Sequence, residues 1–198
     1  MDFDEFEIPD LPVTISNDLE RHVSEVFLLF DTTHTKTIEP KEVGTVMRAL
    51  GCCPSLEEIK EFTKQCEDDN IPNLIHLARF LPVMCSKLTA HCYCPSSADD
   101  LMNAFRILDP ANSGRIPKKE IYEFMTKYGE PFSKDEIEEM MEASFDPRTQ
   151  TVPYERYLNK IAFVPKVDLY ALADEIEASK PQPEKSRHLV SMTIDDFL

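Results

Sequence analysis

The stretch DTTHTKTIEPKEVGTVMRALG, from Asp31 to Gly51, decides the fold. Its first twelve residues begin with Asp31 and end with Glu42. Carboxylates at the first and twelfth places are what a calcium-binding loop of this length needs at its two ends. Apolar residues then recur at helical spacing up to Gly51, a residue that commonly ends a helix: Val43, Val46, Met47 and Leu50. The stretch therefore predicts a short loop with acidic ends that leads into a helix.

The rest of the chain repeats this helical spacing. The stripe that precedes the stretch comprises Leu19, Val23, Val26, Phe27 and Phe30. Ser55 with Glu58, and Ser133 with Glu136, form two capping boxes that each open a helix. Apolar and polar residues hardly ever alternate as in a half-buried strand. Because stripes, loops and serine-capped helices follow in the same order in both halves, we predict an internal duplication.

Each predicted loop contains one isolated branched apolar residue, and these residues are Ile38, Ile75, Ile116 and Val152. In paired helix-loop-helix units, such residues face each other across a short two-stranded ribbon that couples two loops. The predicted fold class is therefore all-α, with two lobes of paired helix-loop-helix units and a short two-stranded loop ribbon in each lobe.

Composition indicates what the chain contacts. The formal net charge is -16 and the pI is near 4.7, so an acidic surface disfavours nucleic acid and anionic membranes and favours a basic partner. No apolar run approaches the roughly 18 residues of a membrane span. The N-terminus is acidic, where a secretory signal would be basic and then apolar. We expect an intracellular protein with reduced cysteines.

Neither a zinc site nor an active site is expected. Cys85, His91, Cys92 and Cys94 are zinc-type ligands close in sequence, but no second pair completes a tetrahedral set. The chain has only four glycines and lacks a phosphate-binding loop, a nucleophile elbow and a His-Glu metal helix. We therefore predict a protein that is not an enzyme and that has no cofactor, and only weak calcium binding stays open.

The run KEVGTVMRALGCCPSLEEI resembles the first lobe of the calmodulin superfamily, where such a run joins the first calcium loop to the next helix. LGCCPS, FLPVM, AFRILD and GEPFSKDEIEEMMEASFDP are similar to EF-hand subunits of the nexin-dynein regulatory complex of cilia and flagella. This resemblance implies two calmodulin-like EF-hand lobes. It also implies a structural or regulatory place in the axonemal cytoskeleton, beside the doublet microtubules, with other subunits of that complex as partners.

With the resemblance, the expected organisation has five segments. They are an acidic N-terminal extension (1–15), an N-terminal EF-hand pair (16–90), a linker (91–98), a C-terminal EF-hand pair (99–163) and a C-terminal segment (164–198). In the last segment, Leu169, Leu172 and Ile176 predict a short amphipathic helix that packs on the second lobe or occupies its groove. The residues beyond that helix form either an extended docking segment or a disordered tail.

The first and third loops keep part of an EF-hand ligand set, which requires oxygen at positions 1, 3, 5, 7, 9 and 12 and glycine at position 6. In the first loop, Lys36 at position 6 places a cationic side chain and a strained backbone at the turn. In the third loop, Ala111 offers no ligand at position 3 and Pro117 stands at position 9. The weak candidate ligands are Asp31, Thr33, Thr35 and Glu42 in the first loop, and Asp109, Ser113 and Glu120 in the third.

The second and fourth loops end in arginine where calcium needs a bidentate glutamate. Arg79 closes the loop that begins at Asp68, and its charge is expected to repel the ion. Arg156 closes the fourth loop, which is one residue short if Asp146 begins it. Calcium affinity follows the number of carboxylates, so we expect binding in the millimolar range or weaker, on the order of 1 mM. Asp31 and Glu42 are also explained without calcium, as a helix-end cap and a first-turn acid.

Two functions compete on these residues. The first is a largely calcium-independent, calmodulin-like adaptor that binds a basic amphipathic or IQ-type helix. The second is a calcium-responsive sensor that switches a target protein, which requires at least one working loop. Either function uses an apolar groove, for which the candidate residues are Phe27, Met47, Met84, Phe105, Met125, Met140 and Met141. The methionines among them are equally explained as core residues.

Overall fold

A computed structural model describes residue 9 and residues 11–161 and 167–179. Nearly all regular structure in these ranges is helical, as predicted. In chain order the elements are α1 (Asp18–Leu28), β1 (Thr37–Ile38), a 3-10 turn (Pro40–Glu42), α2 (Val43–Ala49), α3 (Leu56–Cys66), β2 (Ile75–His76), α4 (Leu77–Thr89), α5 (Ala98–Leu108), β3 (Ile116–Pro117), α6 (Lys118–Lys127), α7 (Lys134–Ser144), β4 (Thr151–Val152), α8 (Tyr154–Ile161) and α9 (Leu169–Ser179). The N-terminal extension up to residue 8 and the tail after residue 179 lie outside the described residues.

The loop ribbons are confirmed. Strand β1 pairs antiparallel with β2, and Ile38 lies opposite Ile75. Strand β3 pairs antiparallel with β4, and Ile116 lies opposite Val152. All four side chains are buried, so each ribbon ties two loops together and also contributes to a core.

The first lobe, α1 to α4, has a core centred on three phenylalanine rings. The Phe27 and Phe80 centroids are 5.0 Å apart, and the Phe62 and Phe80 centroids are 5.3 Å apart with an edge-on geometry. All three side chains are fully buried. Edge-to-face contacts of this kind favour one packing arrangement over others.

The second lobe, α5 to α8, has a core of its own. Phe105 stacks on Tyr154 at 5.6 Å and meets Tyr157 edge-on at 6.4 Å. The two lobes do not share one core cluster. The predicted class, all-α with two EF-hand-like lobes, is confirmed. Among the described residues, no helix combines the length and apolarity needed to cross a bilayer.

Helix α9 packs on the first lobe, against α1 and α4. Leu169 and Ala173 are buried in the first lobe's core cluster. The sequence-based expectation that this helix contacts the second lobe is therefore wrong. Helical periodicity identifies the buried face of α9, but it carries no information about which of two similar lobes covers that face.

The first and third loops turn through the same backbone conformation. Positions 4 and 6 of the third loop, Asn112 and Gly114, have φ values of 49° and 75°. The same positions of the first loop, His34 and Lys36, have φ values of 58° and 60°. Lys36 thus adopts a left-handed conformation that favours glycine, so the turn survives with the strain that the sequence predicts.

Relief of this strain is measurable by substitution. We expect Lys36→Gly to be more stable than Lys36→Ala by about 1 kcal/mol, because both variants lose the side chain but only glycine accepts the left-handed φ without a steric penalty. Urea unfolding followed by circular dichroism measures the difference. Equal stabilities of the two variants would contradict a strained turn at this position.

Candidate functional site

The first loop is held by hydrogen bonds to its leading carboxylate. Asp31 is buried and lies after the end of α1. Its Oδ2 accepts a hydrogen bond from the Lys36 backbone N–H at 2.8 Å, and its Oδ1 accepts bonds from the Thr35 N–H at 3.3 Å and the Thr33 hydroxyl at 3.1 Å. Asp31 therefore caps the loop turn and does not cap a helix, which corrects that part of the sequence-based explanation.

Threonine hydroxyls link the ligand positions of the first loop to one another. The Thr33 and Thr35 hydroxyl oxygens are 2.7 Å apart, and those of Thr35 and Thr37 are 2.8 Å apart. At position 12, Glu42 accepts a hydrogen bond from the Glu39 backbone N–H at 3.0 Å, within a capping box at the start of the 3-10 turn. The side chains at positions 1, 3, 5 and 12 are therefore bonded to other protein groups.

The second loop contains its own cation. Arg79, at position 12, places Nε 2.9 Å and a terminal nitrogen 2.8 Å from Oδ2 of Asp68 at position 1. The other oxygen of Asp68 accepts bonds from the backbone and side-chain N–H groups of Asn70, at 3.0 and 2.9 Å. The Asp68 side chain is only 7% exposed. The repulsion of calcium by Arg79 stays a prediction, and the structure shows in addition that Arg79 joins the two ends of the loop.

The third loop also uses its leading carboxylate internally. Asp109 Oδ2 accepts bonds from the Gly114 N–H at 2.8 Å and from the Tyr154 hydroxyl at 3.1 Å. Its Oδ1 accepts a bond from the Ser113 hydroxyl at 3.1 Å. Glu120, the candidate at position 12, is exposed in the first turn of α6. Sequence analysis missed Tyr154, because this tyrosine lies forty-five residues after Asp109.

The fourth loop is organised by Asp146. Its carboxylate accepts bonds from the Arg148 N–H and the Thr149 hydroxyl, each at 3.0 Å. Arg115 of the third loop lies 3.9 Å from the same carboxylate, so a charge contact accompanies the ribbon between the two loops. Arg156, at the position of the missing glutamate, is exposed.

These contacts lower the pKa values of the loop aspartates. Burial alone would raise the pKa of Asp31, but the bonds from Lys36, Thr33 and Thr35 together lower that pKa. The same balance holds for Asp109, where burial opposes the bonds from Ser113 and Gly114 and the pKa is lowered. For Asp68, the bond from the Asn70 N–H and then the contact with Arg79 lower the pKa.

A tetrahedral metal centre is not assembled in the described part of the chain. No three histidine, cysteine, aspartate or glutamate side chains there are arranged to hold a metal ion. His91 instead places Nε2 2.7 Å from Oδ1 of Asp174 in α9, and the Cys94 thiol donates to the His91 carbonyl at 3.2 Å. Burial raises the pKa of the Cys85 thiol to about 12, which keeps it protonated.

The predicted groove residues lie in different surroundings in the two lobes. Phe27, Met47 and Met84 of the first lobe are fully buried. In the second lobe, Met125 is partly exposed, and three further residues retain slight exposure: Phe105 at 7%, Met140 at 7% and Met141 at 8%. A groove in either lobe stays a prediction.

The chain is similar to a known protein family and to several individual proteins. The family described as an EF-hand domain pair matches residues 98–152. Dynein regulatory complex protein 8 of Mus musculus is 38% identical over 141 residues, which cover 71% of this chain and 86% of that protein. The probable calcium-binding protein CML8 of Oryza sativa subsp. japonica is 33% identical over 138 residues, which cover 70% of each chain.

Solved structures show the same architecture. The crystal structure of Mlc1p bound to IQ2 of Myo2p, a class V myosin, superposes with a TM-score of 0.58. The match covers 71% of this chain and 96% of that chain at 16% identity, so it shows the fold alone. Together with the four loops described above, the relatives place this chain in the EF-hand family that includes dynein regulatory complex protein 8.

Proposed function

We propose that this chain is a regulatory, non-enzymatic subunit of the nexin-dynein regulatory complex in the axoneme of cilia or flagella. In this role it binds a partner helix and helps to regulate dynein-driven sliding. The similarity to dynein regulatory complex protein 8 of Mus musculus supports a place in this complex. The relatives are regulatory EF-hand proteins, which supports a role in binding.

The observation that carries the calcium-independent part of the proposal is the second loop. A guanidinium bonded to the position-1 carboxylate supplies, inside the loop, the positive charge that calcium would otherwise bring. Calcium would have to displace Arg79 and would still lack the bidentate glutamate. Because β1 pairs with β2, the state of this loop is coupled to that of the first loop.

A calcium-responsive role has one specific observation in its favour. The third loop keeps Asp109, Ser113 and Gly114 in a hydrogen-bonded turn, with Glu120 exposed at position 12. Its backbone therefore presents calcium-loop geometry, and what it lacks is ligands at positions 3 and 9. Calcium titration distinguishes the two functions.

We expect no heat of calcium binding to the wild-type chain below about 1 mM calcium in isothermal titration calorimetry with magnesium present. Ala111→Asp should add a carboxylate at position 3 and raise the affinity of the third loop at least about tenfold, because the turn is already formed. Glu120→Gln in the Ala111→Asp background should remove the gain, whereas Glu42→Gln should leave it intact.

A micromolar constant for the wild-type chain would contradict the calcium-independent proposal. If Glu120→Gln abolished that binding, the third loop would be the switch of a sensor. If Glu42→Gln abolished that binding, the first loop would be the switch.

Acid should weaken the third loop through Asp109. The pKa of Asp109 is lowered in the folded state from the ordinary value of 3.8. Asp109 therefore stabilises the folded state fully above pH 3.8, and this stabilisation is lost as the pH falls through the lowered pKa of the folded state. Tyr154→Phe removes one donor to this carboxylate and should raise its pKa, measurable by NMR titration of the carboxyl carbon. The variant should be less stable than the wild type near about pH 7, and this difference in the free energy of unfolding should shrink as the pH falls below 3.8 and Asp109 becomes protonated.

Tyr157→Phe is the matched control, because Tyr157 packs on Phe105 and does not bond Asp109. It should leave the Asp109 pKa unchanged. An Asp109 pKa that is the same in Tyr154→Phe and in the wild type would show that the hydroxyl does not stabilise the carboxylate.

A further inference from the structure

The duplication allows each position of the first lobe to be compared with its counterpart in the second. Phe27 and Phe105 each lie four residues before the leading aspartate of a loop, and Met47 and Met125 each lie sixteen residues after it. Met84 and Ile161 each lie nine residues after a ribbon residue, Ile75 or Val152. These three pairs are therefore structurally equivalent positions.

At all three pairs the second lobe is more exposed. Phe27, Met47 and Met84 have 0% exposure. Phe105 has 7%, Met125 is partly exposed, and Ile161 has 45%. A difference that recurs at equivalent positions of a duplicated fold indicates that something covers one lobe and not the other.

Helix α9 is the element that covers the first lobe. It lies across α1 and α4, where Leu169 and Ala173 are buried and Leu172 and Ile176 are partly buried against the core. These four residues follow the i, i+3, i+4, i+7 spacing by which a target helix presents its apolar face to a groove.

Polar contacts hold α9 in place. The Tyr170 hydroxyl donates to the Cys92 carbonyl at 2.8 Å and contacts the Cys52 thiol at 3.3 Å. Burial is the main cause that raises the pKa of this hydroxyl, so it stays protonated as a donor. The ring of His91 lies 5.6 Å from that of Tyr170, and His91 also contacts Asp174. Two residues of the linker between the lobes, His91 and Cys92, thus bond α9 and help to hold it against the first lobe.

The equivalent face of the second lobe is formed by α5 and α8 and includes Leu101, Phe105, Tyr157 and Ile161. We call it the α5–α8 face. Leu101 and Tyr157 are partly exposed, whereas their first-lobe counterparts Val23 and Phe80 are fully buried. Among the described residues, α5 packs mainly against α8, and α8 also packs against α7.

The charged residues around the α5–α8 face indicate which kind of helix would dock there. Helix α7, which packs against α8, has five exposed acidic residues, and they are Asp135, Glu136, Glu138, Glu139 and Glu142. Asp99 and Asp100 are exposed in the first turn of α5. Together α5, α7 and α8 carry eight acidic and four basic side chains, so the helices that form and support this face are acidic on balance. An apolar face on such helices attracts a helix that is apolar on one side and basic on the other.

We propose that α9 is a built-in occupant of the first lobe, and that a basic amphipathic helix of a partner chain docks on the α5–α8 face of the second lobe alone. This inference rests on the proposed helix-binding function and assigns it to one lobe. The two lobes therefore have different tasks: the first is filled by the chain itself, and the second binds the partner.

The test uses the ¹⁵N-labelled 198-residue chain. The probe is a synthetic Leu/Lys amphipathic peptide of about 20 residues, which forms about five helical turns. We expect one peptide to bind per chain, with amide shifts at Leu101, Phe105 and Ile161 and none at Phe27 or Met84. Ile161→Glu should weaken binding at least about tenfold, because it places an acid where the apolar contact forms.

Ile107→Glu is the matched control for that substitution. Ile107 is 80% exposed, and its first-lobe counterpart Leu29 is also 80% exposed although α9 is in place. The position thus lies outside the area that a docked helix covers, and the affinity should not change.

A second pair of variants tests α9. Ala173 is 1% exposed, so Ala173→Glu should release α9 and create a second peptide site with shifts in the first lobe. Ala178→Glu, at an exposed position of the same helix, should keep a single site. If Ala173→Glu unfolds the first lobe, the proposal is still tested by the amide chemical-shift changes of the wild type and by the affinities of Ile161→Glu and Ile107→Glu.

Other outcomes overturn the inference. Shifts in the first lobe of the wild type, with loss of the α9 contacts, would show that the partner displaces α9, and helix binding as a function would stand. A dimer in sedimentation velocity that Ile161→Glu dissociates would show a second copy on the face. A tenfold gain in affinity on deletion of residues 180–198 would show the tail there. If the peptide bound to neither lobe, that result would contradict the proposed helix-binding function itself.

Discussion

The hydrogen bonds between the leading carboxylate of a loop and the amides that turn back towards it are the constraint on which this molecule depends. Asp31 binds the Lys36 N–H and Asp109 binds the Gly114 N–H, each at 2.8 Å. These bonds close the turn that sets how one helix leaves a loop relative to the helix that enters it. The ribbons then join the loops in pairs, and each pair of loops positions four helices around a core.

The same bonds are the basis of the proposal that this fold keeps its shape without calcium. An EF-hand that binds the ion arranges its oxygens around a charge supplied from outside. Here the second loop is joined end to end by Arg79, and the hydroxyls of the first loop are linked to one another. The first lobe also packs α9 against α1 and α4, on the side where we propose that a partner helix would otherwise bind. We therefore regard the first lobe as a fixed structural unit and the second as the adaptable one.

Much of this architecture could be predicted from local pattern. The apolar stripes gave the helices, and Ile38, Ile75, Ile116 and Val152 gave the ribbons, because both signals are periodic or occur at a fixed loop position. Contacts between residues distant in sequence were not predictable in this way. The bond from Tyr154 to Asp109 and the packing of α9 on the first lobe depend on tertiary contacts. The sequence predicts the effect of the Arg79 charge on an ion, whereas the bond from Arg79 to Asp68 depends on the tertiary position of two side chains eleven residues apart.

The central claim is that the loops hold their conformation through protein contacts and without calcium. Amide hydrogen exchange at Lys36 and Gly114, with a calcium chelator and then with about 1 mM calcium, tests it most directly. The account predicts slow exchange at both amides and the same rates in the two conditions. Fast exchange with the chelator, followed by protection on addition of calcium, would contradict it.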